Sequence, residues 1–170
     1  DTETAQMAIQ ASQTGHLVLA TLHANSNMSA LVRLMDLGVK PLLISSAVSV
    51  IISQRLIRCL CPFCKGPAEL TQSQLDYCIK NHVDQKQILQ AHGCGHCGGT
   101  GYYVRTAIMD ILYMNDHLRT VLCNNQLTPG DMKKQGDKEF ATSLRKEGMK
   151  KVLDGVTTLS EVKRLTMSTG

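Results

Sequence analysis

The chain has 170 residues, 43% of them apolar, and a net charge of +4 from 18 Lys and Arg against 14 Asp and Glu. That length and apolar share are enough to bury a core and exclude a disordered chain, while so mild and evenly spread a charge gives no argument for a nucleic-acid partner. The longest apolar run, Pro41 to Ile52, is shorter than a membrane span and broken by serines, so a cytoplasmic protein is expected.

Residues 2–13 place Ala5, Ala8, Ile9 and Ser12 on one helical face, with Asp1 as N-cap and Gly15 as the stop. Asp1-Thr2-Glu3-Thr4 enters this helix without an initiator methionine or a leader, as the cut edge of a longer chain does. The period then changes. The apolar run from His16 to Leu22 and His23, set between Gly15 and Asn25, has the pattern of a strand buried on both faces of a parallel sheet. A helix is expected from about Asn27, with Leu31, Leu34, Met35 and Leu37 as its apolar positions and Gly38 at its end. Pro41 suits the first turn of a further helix, expected to run through Ile44, Ser45, Val48, Ile51, Ile52 and Leu56 as a mostly buried element. Arg55 and Arg58 mark its far end.

Seven cysteines follow a pattern that bears on compartment and chemistry. They stand at 59, 61, 64, 78, 94, 97 and 123, an odd number that argues against a secreted disulfide framework. Four form two C-x-x-C pairs, Cys61 with Cys64 and Cys94 with Cys97, separated by the 29 residues from Lys65 to Gly93. Two thiolates on one tight turn bind a single zinc ion, with Zn–S near ~2.3 Å, when the turn curls around the metal. Pro62 and Gly95 suit such turns, and Gly93, Gly98, Gly99 and Gly101 tolerate positive φ beside the second. Four thiolates close the tetrahedron and leave no position for water, so the zinc is structural. A dithiol redox pair and two local disulfides are the competing readings. Cys59, Cys78 and Cys123 read as small buried hydrophobes, and His92 and His96 as neighbours of a site already complete.

The spacer is polar, with a short helix expected around Gln72 to Ile79, and is expected to hang off the main body. Tyr102 to Tyr113 reads as a strand or hairpin, and helices are expected at about 116–123, 138–154 and 159–166. The class is α/β with a small metal-bound appendage.

His16 and His23 bracket the buried run but do not act as a pair. Seven residues of strand at ~3.3 Å each hold their Cα atoms roughly 23 Å apart, and opposite parity turns the side chains to opposite faces. Ligands of open α/β sheets gather at the carboxyl ends of strands, where His23 and Asn25 would sit, so His23 is the stronger site candidate. A satisfied loop histidine is the alternative.

From Thr14-Gly15-His16 through His23-Ala24-Asn25 the sequence closely resembles the histidine box of the type II secretion and type IV pilus assembly ATPases, a branch of hexameric RecA-like motors. Asp1-x-Glu3-Thr4-Ala5 looks like the segment after that family's Walker B region, and Arg33-Leu34-x-Asp36-x-Gly38 and Gln54-Arg55-Leu56-x-Arg58 resemble further family stretches. The two cysteine pairs look like its zinc-binding insertion, and Gly101-Tyr102-x-x-Arg105-Thr106 is similar to the strand after it. The run from Leu144 to Val162 looks like the family's carboxyl end. Ala107 and Asp110 stand where the family usually has glycine and glutamate.

The resemblance implies an organisation in which 1–58 form the C-terminal part of a RecA-like ATPase core with the histidine box, 59–106 the tetracysteine zinc module, and 107–170 a returning strand with C-terminal helices. It implies His23 near the γ-phosphate of ATP as a sensor and catalytic residue, with Asn25 beside the nucleotide, and His16 supporting the sheet or a subunit contact. Arg55 and Arg58 then either meet a neighbouring subunit or cap their helix against its C-terminal dipole. The implied parent uses ATP and Mg²⁺, forms a homo-hexameric ring, and works with inner-membrane platform and assembly proteins, peripheral to the bacterial inner membrane through them. No G-x-x-x-x-G-K-[ST] occurs in these 170 residues, nor the acidic strand end of Walker B, so this piece alone is expected to be inactive. The alternative is a stand-alone zinc module that binds a protein or nucleic acid. Against nucleic acid, only Phe63, Tyr102, Tyr103 and Arg105 offer stacking or charge near the knuckles.

Overall fold

The computed structural model describes residues 1–80, 84–123 and 144–166. The described residues fall into two compact units, Asp1–Ser53 with Asp110–Thr142 and Gln54–Met109 with Ser143–Gly170.

The first unit is built on helices with legible ends. α1 (Thr2–Gln13) starts where the Asp1 carboxylate accepts from the Thr4 N–H at 2.8 Å. It stops before Gly15, whose φ of 91° no β-carbon residue adopts cheaply. α2 (Asn27–Asp36) is capped by Ser26, which accepts from the Ser29 N–H at 3.1 Å. α3 (Pro41–Ala47) has Pro41 in its first turn. With α5 (Asp116–Cys123), these helices enclose Ile9, Met28, Leu31, Val39, Ile44, Leu112, Leu118 and Leu122. Asn27 is buried among them, donating to the Asp110 carbonyl at 3.1 Å and accepting from the Ser53 hydroxyl at 2.6 Å.

Two expectations fail here. The helix from Pro41 to Leu56 ends at Ala47, and β1 (Val50–Leu60) begins three residues later. Val48, Val50, Ile51 and Ile52 lose rotamer freedom in a helix and suit a pleated surface. Exposed Val50, Ile52 and Leu56 alternate with half-buried Ile51, Ser53 and Arg55 before the buried Ile57, the period of a strand with one covered face. β1 pairs with β4 (Tyr102–Tyr113), which is one strand. The second failure is the buried strand from His16 to His23. Residues 16–24 carry no strand or helix, and Leu17 and Leu19 are 88% and 86% exposed. A strand exists only where a neighbour completes its hydrogen bonds, and the two sheets among the described residues, β1–β4 and β2–β3, leave this run without one.

The second unit carries both C-x-x-C pairs with Cys59 and Cys78, while Cys123, on α5 of the first unit, is exposed and not the buried hydrophobe expected. β2 (Lys65–Pro67) and β3 (Leu89–Ala91) form an antiparallel ribbon with Lys65 opposite Ala91 and Pro67 opposite Leu89. The spacer between them includes α4 (Gln72–Lys80), where the short helix was expected. It does not hang free. Cys78 and Ile88 share a core with Val152 and Val162 from α6 (Leu144–Leu153) and α7 (Leu159–Thr166). The apolar period of the C-terminal helices marks them correctly, although residues 138–143 of the helix expected at 138–154 lie outside the described residues. Gly148 lets α6 and α7 touch, since a β-carbon there would meet Val162 Cγ1 at 2.7 Å.

Candidate metal centre

The ribbon solves a chain-geometry problem, since β2 leaves the first cysteine turn and β3 leads into the second. Pairing them closes the 29-residue loop and brings both turns to one end. In the first turn the Lys65 N–H donates to the Cys61 carbonyl at 3.1 Å. In the second, a single 3₁₀ turn over Gly95–Cys97 ends at Gly98 with φ of 60°, and the Gly99 N–H donates to the Cys94 carbonyl at 2.9 Å. Two glycines are sterically required. At Gly93, φ 96°, a β-carbon would collide with the Gly99 carbonyl, and at Gly101, φ 74°, with the Ala91 side chain. A bond from the Cys61 N–H to the Gly101 carbonyl at 2.9 Å ties the turns together.

The four sulfurs of Cys61, Cys64, Cys94 and Cys97 all lie within 4.8 Å of one another. Cys61 to Cys94 and Cys64 to Cys97 are 3.9 Å apart, and Cys94 to Cys97 3.8 Å. A tetrahedron with ~2.3 Å metal–sulfur bonds has edges of ~3.8 Å, whereas a disulfide needs about 2.05 Å. The residues therefore fit a tetrahedral thiolate metal and not a pair of disulfides. The Cys94 and Gly101 N–H groups point at Cys97 Sγ, 3.2 and 3.1 Å away. Burial works against the Cys97 thiolate, but these donors and the neighbouring thiols Cys94 and Cys64 outweigh it and bring it to about 6. Burial, followed by the thiols of Cys94, Cys61 and Cys97, pushes Cys64 up to about 12, with the Gly93 backbone opposing. All four sulfurs can be thiolates at these spacings only with a cation among them, which is what a tetrahedral metal supplies. His92 and His96 are not in the sulfur cluster; His96 stacks on Phe63 at 4.3 Å between ring centroids.

Beside the centre lies a residue that sequence reading passed over. Glu161 has a fully buried side chain and accepts from Arg58 Nη2 at 2.8 Å and Arg164 Nη2 at 2.9 Å. Burial alone would raise its carboxyl; hydrogen bonds from Arg164 and Arg58, then the Arg58 backbone N–H, outweigh it and lower it to about 2. The available signal was Thr158-x-x-Glu161, a capping-box pattern. Thr158 does cap α7, accepting from the Glu161 N–H at 3.2 Å, but the glutamate is turned to the two arginines.

The other sequence candidates are placed as follows. Arg55 and Arg58 lie on β1, so neither caps a helix end. Arg55 donates to the Gln54 carbonyl at 3.1 Å, while the Arg58 guanidinium lies 4.1 Å over the Tyr102 ring. His23, at the end of the run that carries no strand or helix, and Asn25, in the bend before α2, are both exposed, and His16, also exposed, has Nδ1 3.1 Å from the Thr14 hydroxyl.

Residues 1–164 match the model of the family described as Type II/IV secretion system protein. The chain belongs to this family. It is 40% identical over 166 residues to Type II secretion system protein E of Pseudomonas aeruginosa, covering 98% of this chain and 33% of that protein. To the Type IV pilus assembly ATPase TfpB of Acinetobacter baylyi it is 39% identical over 167 residues, covering 97% of this chain and 28% of that one. The chain thus spans about a third of the length of such relatives. In fold alone, this Type II/IV secretion system protein resembles the crystal structure of the Yersinia pseudotuberculosis ATPase DotB, with a TM-score of 0.64 at 18% identity over 98% of this chain and 34% of the other.

Proposed function

We propose that this chain supplies the C-terminal part of a RecA-like hexameric motor that hydrolyses ATP to power type II protein secretion or type IV pilus assembly. The observation that carries the reading is the family match, which runs over residues 1–164 and reaches relatives named for both processes, several of which bear the name ATPase. A stand-alone zinc module would account for 61–101 only and leave the histidine box and the C-terminal helices unexplained.

In the intact motor, the run from His16 to His23 gains the neighbouring strands it lacks here, which covers Leu17 and Leu19. His23 then serves as a γ-phosphate sensor, gaining or losing a hydrogen bond as that phosphate is present or gone, and Asn25 assists beside it. His16 and Arg55 are assigned to the sheet and subunit contacts. No phosphate-binding loop occurs in the 170 residues, so the ATP and Mg²⁺ cradle is assigned to the two thirds of the family protein that this chain does not span. The four cysteines hold Zn²⁺, which supplies a structural cross-link and no reactive position. Among the described residues no helix is long and apolar enough to cross a membrane, in keeping with a motor placed at the cytoplasmic side of the inner membrane by its assembly partners.

The test is His23→Ala in the intact protein. ATP turnover is expected to fall at least about 10-fold with the ring still assembled by light scattering. Unchanged turnover in an intact ring contradicts the sensor role.

A further inference from the structure

The segment Gly155–Glu161 is laced to both cysteine turns. Before the first turn, the Leu60 N–H donates to the Val156 carbonyl at 2.8 Å and the Thr157 hydroxyl to the Arg58 carbonyl at 2.7 Å. After it, Lys65 Nζ donates to the Gly155 carbonyl at 3.1 Å. The second turn is reached through Gly101, whose N–H donates to Cys97 Sγ, and Tyr102, whose hydroxyl is 2.8 Å from that of Thr158. Glu161 closes the lattice. It accepts from the Arg58 backbone N–H at 3.2 Å and Nε at 3.1 Å as well as Nη2, so it fixes both the backbone and the side chain of the residue three before Cys61.

Glu161 is fully buried where it sits, while the side chains of Arg58 and Arg164 are 41% and 58% exposed. A carboxylate in that place is stable only while the guanidinium groups hold it, and Arg58, near the end of β1, leads within three residues into the first cysteine turn. We propose that Glu161 is a positioning residue of the metal centre, coupling metal occupancy to the docking of α6 and α7. The proposal rests on the four-cysteine metal reading above. Its physical carrier is a continuous network of hydrogen bonds within one compact unit, together with the shared core of Cys78, Ile88, Val152 and Val162. Coupling of this kind is reciprocal: whatever the metal contributes to holding the helices, the docked helices contribute to holding the metal.

The experiment uses the intact protein loaded with Zn²⁺. Hydrogen exchange of peptides covering α6 and α7 is compared before and after chelation, and Zn²⁺ affinity is measured by competition with a chromogenic chelator. Metal removal is expected to speed exchange across Leu144–Thr166 at least about 10-fold, and Glu161→Gln to weaken Zn²⁺ binding about 10-fold. Lys163→Gln, at an exposed position of α7, is expected to leave the affinity unchanged. Helices that keep their protection after chelation overturn the coupling, as does a Glu161→Gln protein that loosens the helices at unaltered Zn²⁺ affinity. If Glu161→Gln does not fold, the chelation comparison on the unsubstituted protein decides. An intact protein that retains no Zn²⁺ removes the metal reading and the coupling together, whereas retention without linkage removes the coupling alone.

Discussion

At the scale of single residues, the decisive contrast is between two kinds of buried charge. The cysteine sulfurs are close enough that four thiolates need a cation among them, while Glu161 brings its own counter-charges from Arg58 and Arg164. Its carboxyl is lowered to about 2 in the folded chain from an ordinary value of 4.5. The stability it contributes is therefore present above the ordinary value and lost as pH falls from about 4.5 through about 2. Replacing Glu161 by Ala leaves two arginines facing an empty buried site and is expected to cost about 3 kcal/mol, the lower end for a broken buried pair because both guanidinium groups reach water. Chemical denaturation at pH 7 and at pH 3 checks this: the gap between the parent and variant should narrow at the lower pH, and a constant gap contradicts the ion-pair account. Cys61, Cys64, Cys94 and Cys97 were legible from spacing because thiolate pairs on tight turns have few other uses. Glu161 was not, because a capping-box glutamate looks the same whether it caps a helix or binds an arginine a hundred positions away.

At the scale of elements, the turns are set by glycines that nothing else replaces. Gly93→Ala would drive a β-carbon into the Gly99 carbonyl at a backbone angle that alanine adopts only with strain. It is expected to lower metal retention about 10-fold in a chelator competition, whereas Gly95→Ala, with open space around it, should retain metal like the parent. Equal losses at both positions contradict the steric account. The helices α1, α2, α5 and α7 were readable to within a residue or two because local signals set their ends: Asp1 and Ser26 as caps, Gly15 and Gly38 as stops. The run from Pro41 to Leu60 was not, because its apolar residues satisfy a helical period through Ile44 and Val48 and a strand period from Val50 onward. What separates the two is pairing with β4, more than forty residues away, and no local pattern contains it.

At the scale of the whole molecule, the same limit explains the run from His16 to His23. Its composition is that of an interior strand, yet Leu17 and Leu19 face water among the described residues. The apolar run and its exposure agree if the missing neighbours belong to the two thirds of the family protein that the chain does not span. The cysteine module, by contrast, has its core and its partners within the second unit. Its assignment as a closed tetrahedral thiolate site is the claim on which the structural account turns, and native mass spectrometry of the intact protein, before and after chelation, tests it directly. One Zn²⁺ per chain, lost with chelator and restored on adding Zn²⁺, is the predicted result. Less than about half an equivalent per chain, or a mass lower by two hydrogens for each C-x-x-C pair, contradicts it.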